Sequence, residues 1–475
     1  MKQMKIRFRL LTMIVIALLA VAGVYGMYSV STYGSRWFSS AKNTRYRNAK
    51  KTVVKGDIID RFGVVLATTN AAGDREYQPD VRNRSAIVHL IGDEDGNIAN
   101  GVDSFQASYL LGFETSMTER VEALLSGETR RGDNVTLTVD SRLCTEIVAA
   151  FSTNAKTVGK SGAAVVMNYK TGEVMAMVSL PVFDPANMTE KLKENKQHPF
   201  WNRALQSVMP PGSTFKIITA ASALKNIPNA EEQTFDCDGE LEVMEQIIRD
   251  YNRAKHGEET LESAFRVSCN NVFAQCALQL GDNALRQTAE SFGFNDNFLF
   301  RDFVVQNSQY PTQNRTQLEL AWSGIGQSRL GATPMHMCMV ASAIANKGVM
   351  MEPRLLAKVE SQTRMVRLRY SSKVYTRACD EATARKLDGY MKKVVQNGTG
   401  TAAKVSGLTI AGKTGSAESS MDGKDVTHAW FVGYIADASF PYACAVLVED
   451  GGTGGSVAAP IAERIFKYIQ SRYVR

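Results

Sequence analysis

Hydrophobic and polar positions divide this chain into an apolar N-terminal segment and a long region of strand-like and helix-like patterns. Residues 10–35 carry no charge, and their apolar centre is long enough for a helix that spans a bilayer core. Four basic residues precede it within residues 1–9, which predicts a cytoplasmic N-terminus and an extracytoplasmic body. A cleaved signal peptide is the alternative, because residues 20–22 read Ala-Val-Ala. The apolar run continues past that point and favours a retained anchor.

The patterns from about residue 162 onward predict an α/β layered domain. Residues 162–180 predict a hairpin with a turn at 170–172, and residues 407–419, 427–436 and 441–450 predict three successive strands. Helical patterns begin at Ser213, directly after Pro-Pro-Gly, and recur in three later segments, 262–281, 332–348 and 460–473. Helices that precede and follow the strands are typical of a sheet flanked by helices.

The remaining segments complete the predicted organisation. Short strands, glycines and acidic stretches occupy residues 56–150, with one helix expected near residues 116–125. We therefore predict five parts: a cytoplasmic tail (1–9), a transmembrane anchor (10–30), a juxtamembrane linker (31–55), a small β-rich N-terminal module (56–155) and a C-terminal domain (156–475).

Charge and composition narrow the classes of function. The chain has 475 residues and a net charge of +7, but eleven of its 55 Lys and Arg residues and none of its 48 Asp and Glu residues lie in 1–56. The rest therefore carries 44 basic against 48 acidic residues, which argues against nucleic-acid binding. The five histidines lack ligand spacing and the seven cysteines contain no C-x-x-C pair, so we expect no metal site. Nothing in the sequence requires a cofactor.

The segment GLTIAGKTGSAES at 407–419 fits two different motifs. One is the phosphate loop G-x-x-x-x-G-K-T, and the other is a K-T-G strand of enzymes that attack peptides with an activated serine. A phosphate loop needs a flexible turn followed by a helix, whereas residues 408–411 are β-formers and the following residues are polar and turn-rich. Extracytoplasmic space also holds little ATP. The K-T-G interpretation is therefore favoured.

Ser213 and Lys216 have the spacing of a nucleophile and its base. Positions i and i+3 share a helix face, so the amine can reach the hydroxyl. Lysine can act as a base when desolvation and nearby cations lower its pKa, and a helix N-terminus leaves the serine N–H free for an oxyanion. Ser268-Cys269-Asn270 and Lys413-Thr414-Gly415 follow in order. The series S-x-x-K, S-x-N, K-T-G is typical of penicillin-binding proteins and class A β-lactamases.

Each of these short motifs also occurs elsewhere in the chain. S-x-x-K recurs at Ser39 and at Ser222, S-x-N recurs at Ser152, and K-T-G recurs at Lys170. Ser39 lies in the basic linker, Ser222 lies inside the helix that follows Ser213, and Lys170 lies in a hairpin turn. Only the set at 213, 268 and 413 places every motif on a suitable element.

Longer stretches around these motifs resemble a known family. NRALQSVMPPGSTFK, FRVSCNNVFA, GIGQSRLGATPMHMCMVASAIANKG, NGTGTAAKVSGLTIAGKTGSAE and HAWFVGY together resemble the transpeptidase domain of penicillin-binding proteins, from about residue 159 to the C-terminus. KGDIIDRFGVVLA resembles the N-terminal segment of the monofunctional class B branch. The resemblance implies an α/β (α+β) fold of the serine transpeptidase/β-lactamase type, with an antiparallel sheet flanked by helices. It also implies that the N-terminal module is non-catalytic, with a pedestal-like or dimerisation-like role.

The resemblance also implies a reaction and its nucleophile. Ser213 would attack the carbonyl between the two terminal D-Ala residues of a peptidoglycan stem pentapeptide and form an acyl-enzyme, which an amine from a neighbouring stem then attacks. Lys216 would deprotonate Ser213, Ser268 would relay the proton to the leaving amine, and Asn270 would hold the substrate amide. β-Lactams would acylate Ser213 because they mimic D-Ala-D-Ala.

The K-T-G strand would bind the substrate. Lys413 and Thr414 would engage its terminal carboxylate, Gly415 would allow close backbone approach, and the backbone N–H of Ser416 would share the oxyanion with that of Ser213. Three alternatives stay open: a membrane-anchored β-lactamase or β-lactam sensor, a D,D-carboxypeptidase, and a non-enzymatic cell-wall scaffold. The family further implies a polytopic, SEDS-type glycosyltransferase as a membrane partner, contacted through the anchor and residues 56–150.

Overall fold

A computed structural model describes residues 2–38, 52–70, 72–98, 100–115, 119, 121, 125, 127, 129–313, 315–421 and 423–473, with the backbone alone at 2–5, 30–38 and 421. Most of the predicted linker and most of the helix expected near residues 116–125 lie outside the described residues. The long N-terminal helix α1 (Lys2–Phe38) contains Ile6–Ser29, which is long and apolar enough to cross a membrane. Its apolar side chains are exposed, as a lipid-facing helix requires.

The remaining elements are numbered along the chain. The strands β1–β17 are Ile58–Ile59, Val65–Thr69, Arg75–Tyr77, Asn134–Leu137, Gly162–Asn168, Val174–Leu180, Thr234–Cys237, Glu240–Val243, Gln246–Arg249, Gly257–Thr260, Val349–Met351, Leu356–Glu360, Val366–Arg369, Val374–Arg377, Ile410–Met421, Lys424–Ile435 and Tyr442–Val448. The helices α2–α15 are Val81–Ala86, Val88–Ile91, Val102–Phe105, Ala107–Leu110, Ser141–Ser152, Glu190–Lys193, Arg203–Gln206, Lys216–Asn226, Leu261–Val267, Asn270–Ser291, Gln317–Gly324, Pro334–Ala345, Glu381–Asn397 and Ala458–Arg472. Short 3-10 turns cover Gly212–Phe215, Tyr251–Arg253 and Thr401–Ala403.

The central sheet of the C-terminal part is antiparallel and five-stranded, in the order β15-β16-β17-β5-β6. The predicted hairpin and the three predicted successive strands are all in this sheet, so these predictions are confirmed. Every residue of β6 and β17 is buried, which means that both faces of the sheet are covered. Helix α13 packs on β5, β16 and β17, and α15 packs on β16 and β17 and on α6.

A second sheet of six strands, in the order β13-β12-β4-β1-β2-β3, joins the two predicted modules. Strands β1–β4 come from the N-terminal side of the predicted boundary at 155/156, whereas β12 and β13 come from far beyond it. Strand β12 pairs antiparallel with β4, with Leu356 opposite Leu137. Strands from both sides of the predicted boundary therefore belong to one sheet. The boundary itself stays a prediction.

Candidate active site

The segment that carries Ser213 is a tight turn directly before helix α9. Gly212–Phe215 forms a 3-10 turn that leads into Lys216 at the start of α9. Gly212 has φ +52°, in the left-handed region that favours glycine, and its N–H donates to the Gly326 carbonyl at 2.9 Å. Ser213 is half-buried while its neighbours in the turn are buried. The predicted helix at Ser213 therefore begins as a 3-10 turn, with the serine side chain at its accessible position.

The Lys216 side chain is fully buried and reaches the junction between α10 and α11. Its Nζ donates to the Ser268 carbonyl at 2.6 Å, to Asn270 Oδ1 at 2.8 Å and to Ser268 Oγ at 3.3 Å. Within the described part of the chain, no hydrogen bond joins it to the Ser213 hydroxyl. Burial lowers the pKa of Lys216 to about 8, although the charges of Cys269 and Asp250 act in the opposite direction. This amine can therefore lose its proton near physiological pH.

Ser268 occupies a strained position between two helices. Its φ of +65° and ψ of 37° lie in the left-handed region, which non-glycine residues rarely adopt, and it caps the C-terminus of α10. Asn270 then begins α11, its backbone N–H donates to Asp250, and its side-chain Nδ2 donates to the Arg249 carbonyl at 2.9 Å. Asp250 follows strand β9 and carries no motif, so the sequence analysis did not identify it.

The Lys413 side chain connects the K-T-G strand to the Ser268 hydroxyl. Strand β15 lies at the edge of the central sheet, and the buried Lys413 Nζ donates to Ser268 Oγ at 2.7 Å and to the Thr414 carbonyl at 3.1 Å. Burial, and secondarily the charge of Lys216, holds the pKa of Lys413 well below its ordinary value. Two buried amines thus contact one serine oxygen. If both were protonated, their positive charges would repel each other, so the doubly charged state is disfavoured.

The K-T-G strand also packs tightly against the Ser213 turn. A Cβ on Gly415 would lie 2.9 Å from the Pro211 carbonyl oxygen, and one on Gly212 would lie 3.0 Å from the Ser416 carbonyl oxygen. The Trp430 indole on the neighbouring strand donates to the Pro210 carbonyl at 3.0 Å. The Ser213 turn and the edge strand are therefore in direct contact, and together with Lys216 and Ser268 they border the candidate active-site cleft. Because residues 410–421 continue as a strand, no helix follows Lys413 and the phosphate-loop alternative is excluded.

Two further segments, around Thr399 and around Gly454, also contact the K-T-G strand. Thr399 Oγ1 and Thr414 Oγ1 are 2.6 Å apart, and the Gly454 N–H donates to Ser416 Oγ at 3.2 Å. A Cβ on Gly454 would lie only 2.4 Å from the Gly415 carbonyl oxygen. The glycine-rich segment 451–456 precedes the last helix and packs on the strand that carries the site. Its repeated glycines were the available signal for such a close approach.

Comparisons with known proteins agree with this geometry. Residues 162–467 match the penicillin binding protein transpeptidase domain. The peptidoglycan D,D-transpeptidase PbpA of Mycobacterium tuberculosis (strain H37Rv) is 31% identical over 377 residues, which cover 73% of this chain and 74% of that protein. The peptidoglycan D,D-transpeptidase MrdA of Acinetobacter baumannii is 28% identical over 454 residues, which cover 86% of this chain and 65% of that protein.

Solved structures give the same result. Penicillin-binding protein A from M. tuberculosis, in a ceftriaxone acyl-enzyme complex, aligns with a TM-score of 0.80 at 26% identity, over 88% of this chain and 98% of that chain. The D,D-transpeptidase domain of a peptidoglycan glycosyltransferase from Eggerthella lenta aligns with a TM-score of 0.73 at 29% identity, over 89% and 99%. Since the family match spans more than half of the sequence and every residue of the cleft, this chain belongs to the penicillin-binding protein transpeptidases, among the class B members.

Proposed function

We propose that this protein is a membrane-anchored peptidoglycan D,D-transpeptidase that forms its acyl-enzyme on Ser213. The observation that carries the proposal is the convergence of two buried amines, those of Lys216 and Lys413, on the Ser268 hydroxyl beside the Ser213 turn. Burial of both amines favours the neutral form of the base next to an accessible serine, and nucleophilic catalysis by a hydroxyl requires such a base. Family membership and relatives named as D,D-transpeptidases support the same reaction.

In the first half-reaction, the Ser213 oxygen attacks the carbonyl carbon between the two terminal D-Ala residues. Lys216 is the proposed base: its lowered pKa gives a substantial neutral fraction, and its amine accepts the proton that leaves Ser213. In this structure the amine donates to Ser268 and Asn270, and catalytic hydrogen bonds commonly tighten only when substrate binds. The backbone N–H groups of Ser213 and Ser416 are proposed to hold the oxyanion of the tetrahedral intermediate.

Collapse of that intermediate breaks the C–N bond, and the leaving D-Ala nitrogen needs a proton. Ser268 is suited to supply it, because a hydroxyl has two acceptor lone pairs and one O–H. Both lysine amines donate to its oxygen, so its own O–H is not needed for either contact, and we propose that it donates to the leaving nitrogen. Ser268 then regains a proton from a neighbouring ammonium. An acceptor amine attacks the ester, loses a proton through the same groups, and leaves a new amide cross-link and free Ser213.

Labelling with a fluorescent penicillin tests the nucleophile. The wild-type protein should acquire a stable label, because the β-lactam ring opens on Ser213 and the acyl-enzyme persists. Ser213→Ala should abolish labelling, whereas Ser222→Ala should not. Ser222 is the matched control, since it also begins an S-x-x-K motif but is buried in α9, where its hydroxyl donates to the Ala284 carbonyl at 3.3 Å and accepts from Thr288 at 3.1 Å. Unchanged labelling of Ser213→Ala would overturn the assignment, and rapid loss of label from the wild type would indicate a β-lactamase.

An acceptor test separates transpeptidation from carboxypeptidation. A donor peptide ending in D-Ala-D-Ala is incubated with the protein and an amine-bearing stem peptide, and the products are resolved by mass spectrometry. Amide-linked dimers together with free D-Ala are expected. Free D-Ala with hydrolysed donor alone, at saturating acceptor, would favour a D,D-carboxypeptidase. Absence of both products together with absence of penicillin labelling would favour a non-enzymatic scaffold.

We also propose the orientation and the partner. The basic residues before the apolar stretch of α1 favour a cytoplasmic N-terminus, and the substrate chemistry requires an extracytoplasmic cleft. Protease added to intact spheroplasts should therefore digest the body of the protein. The proposed partner is a polytopic, SEDS-type glycosyltransferase that contacts α1 and residues 56–150. Exchange of α1 for an unrelated transmembrane helix should weaken co-purification of such a partner, and undiminished co-purification would count against contact through the anchor.

A further inference from the structure

The loop that follows helix α12, residues 325–328, contacts both the Ser213 turn and the K-T-G strand. Helix α12 ends at Gly324, whose carbonyl accepts the Thr219 hydroxyl of α9 at 2.8 Å. The Gln327 N–H donates back to a carbonyl in the last turn of α12 at 3.0 Å. The loop is therefore fixed to the end of α12, and α12 is itself bonded to the helix that follows the nucleophile.

Gly326 packs directly against the Ser213 turn. Its φ of +78° lies in the left-handed region, and its carbonyl accepts the Gly212 N–H at 2.9 Å. A Cβ on Gly326 would lie 1.9 Å from the Gly212 carbonyl oxygen and 2.9 Å from Phe215 Cβ, so only glycine allows this approach. The loop therefore holds the turn that carries the nucleophile by direct main-chain contact.

The side chain of Gln327 reaches the K-T-G strand. With the amide oriented so that both of its groups are satisfied, Nε2 donates to the Glu418 carbonyl at 3.2 Å and Oε1 accepts the Glu418 N–H at 3.0 Å. Strand β15 lies at the edge of the central sheet, and an edge strand has alternate N–H and C=O groups that no neighbouring strand pairs. The Gln327 amide thus pairs with the main chain of β15 as a further strand would.

Ser416 lies two residues before Glu418 on the same strand edge. Because peptide groups two residues apart on a strand point to the same side, the Ser416 N–H faces the open edge as the Glu418 N–H does. The Ser416 carbonyl agrees with this register, since a Cβ on Gly212 would lie 3.0 Å from its oxygen. The proposed oxyanion donor on β15 is therefore only about 7 Å along the strand from the pair that Gln327 makes.

We infer that Gln327 is a positioning residue for acylation: its amide fixes strand β15 so that the Ser416 N–H can bind the oxyanion. One loop then positions both proposed oxyanion donors, because Gly326 holds the Ser213 turn and Gln327 holds the strand. Such donors act at about 2.7–3.1 Å from the oxyanion, so a small displacement of the strand weakens one of them. The inference rests on the proposed function, to which the oxyanion site belongs.

Acylation kinetics of the full-length protein in detergent test the inference. Gln327→Met keeps the length of the side chain and removes both hydrogen bonds, whereas Gln327→Asn keeps the amide but shortens its reach by one methylene. Both variants should lower the limiting rate of acylation by a fluorescent penicillin about 10–100-fold, because a displaced donor is lost in the transition state. The dissociation constant of the complex that precedes acylation should change by less than about two-fold.

Arg329→Ala is the matched control, because Arg329 directly follows the loop and its side chain is exposed. This variant should acylate at the wild-type rate. An unchanged limiting rate in folded Gln327→Met, or a raised dissociation constant with an unchanged rate, would overturn the inference. A lower melting temperature as the only change would also overturn it, since Gln327 would then merely stabilise the strand edge. Absence of labelling in the wild type would instead count against the proposed function.

A boronic acid inhibitor gives a second measurement if the variants are only marginally stable. Ser213 gives its proton to the base, its oxygen bonds to boron, and the tetrahedral boronate anion mimics the intermediate of acylation. Gln327→Met should weaken the affinity for the boronic acid by about the same factor as it lowers the limiting acylation rate. Equal affinities of the wild type and the folded fraction of the variant would overturn the inference.

Discussion

At the scale of single residues, the cleft is organised around one oxygen atom. Ser268 Oγ accepts hydrogen bonds from Lys216 at 3.3 Å and from Lys413 at 2.7 Å, and both lysines are completely buried. Two ammonium groups this close in a dry site repel each other, so at least one amine is driven towards the neutral form. The short motif S-x-x-K cannot specify this arrangement, since it also occurs at Ser222 without these partners.

The pH dependence of acylation should report the protonation of Lys216. Its pKa is lowered to about 8, so the neutral, proton-accepting form increases as the pH rises through that value. We expect the second-order rate constant for fluorescent penicillin to rise with pH and to level off above a midpoint near 8. Lys216→Ala should reduce the plateau by on the order of 10²–10⁴-fold. A rate that does not change across this range would contradict the assignment of Lys216 as the base.

Asn270→Asp should move that midpoint without removing the base. Asn270 Oδ1 lies 2.8 Å from Lys216 Nζ, and a carboxylate there would stabilise the ammonium form. The midpoint of the acylation profile should therefore rise by about one unit or more. Asn271→Asp is the matched control, because the Asn271 side chain donates to the Glu240 carbonyl and not to the site. A lower plateau with the same midpoint would mean that Asn270 does not act on Lys216.

At the scale of secondary structure elements, the sequence was informative wherever the pattern was long. Strands β6 and β17 of the central sheet are almost continuous apolar runs, and α13 is an apolar run of helical length, so these elements were predicted. The break at Ser268 was not predicted, because the apolar pattern continues from α10 into α11 across it. The two-stranded ribbons formed by β7–β10 were also missed: their pattern is weak, and they are contacted by Asn271 of α11, whose N–H donates to Asp250 and whose side chain donates to the Glu240 carbonyl.

Gly415→Ala should push the K-T-G strand away from the Ser213 turn. A Cβ at this position would lie 2.9 Å from the Pro211 carbonyl oxygen and 3.0 Å from Thr214 Cγ2, so strand β15 must move away from the Ser213 turn. A displacement of about 1 Å can cost about 10²-fold in rate, and we expect a loss of that order in acylation while the far-ultraviolet circular dichroism is unchanged.

Gly389→Ala is the matched control for this substitution. Gly389 lies inside helix α14, and nothing lies within 4 Å of the Cβ that alanine would add. The variant should acylate normally and should gain about 0.5–1 kcal/mol in the free energy of unfolding, because alanine favours the helix over glycine. Normal acylation in Gly415→Ala as well would show that the tight packing of turn against strand is not needed for the reaction.

At the scale of the whole molecule, the two predicted modules share a sheet and its supporting contacts. Asp302, from the C-terminal part, accepts the N–H groups of Leu355 and Leu356 at 2.6 and 2.7 Å, where β12 begins. From the N-terminal side, the Gln106 side chain donates to the Asp302 carbonyl at 3.3 Å. Pairings between residues so distant in sequence leave no local pattern, so the sequence could not show that strands from both sides of the predicted boundary at 155/156 share one sheet.

A substitution in the shared sheet, far from the active site, should therefore destabilise the active site together with both predicted modules. Arg367 on β13 binds the buried Asp133 at 2.8 Å and Glu119 at 2.6 Å. Burial raises the pKa of the Asp133 carboxyl and Arg367 opposes that shift, so Arg367→Ala leaves an unpaired buried acid. We expect a loss of about 3 kcal/mol in the free energy of unfolding. Calorimetry of the fragment without α1 should show one transition at a lower temperature, with penicillin labelling lost at that same temperature.

Arg369→Ala is the matched control for this substitution. The Arg369 side chain on the same strand is exposed, so this variant should unfold like the wild type. Two transitions, with labelling lost only in the second, would mean that the modules unfold independently despite their common sheet.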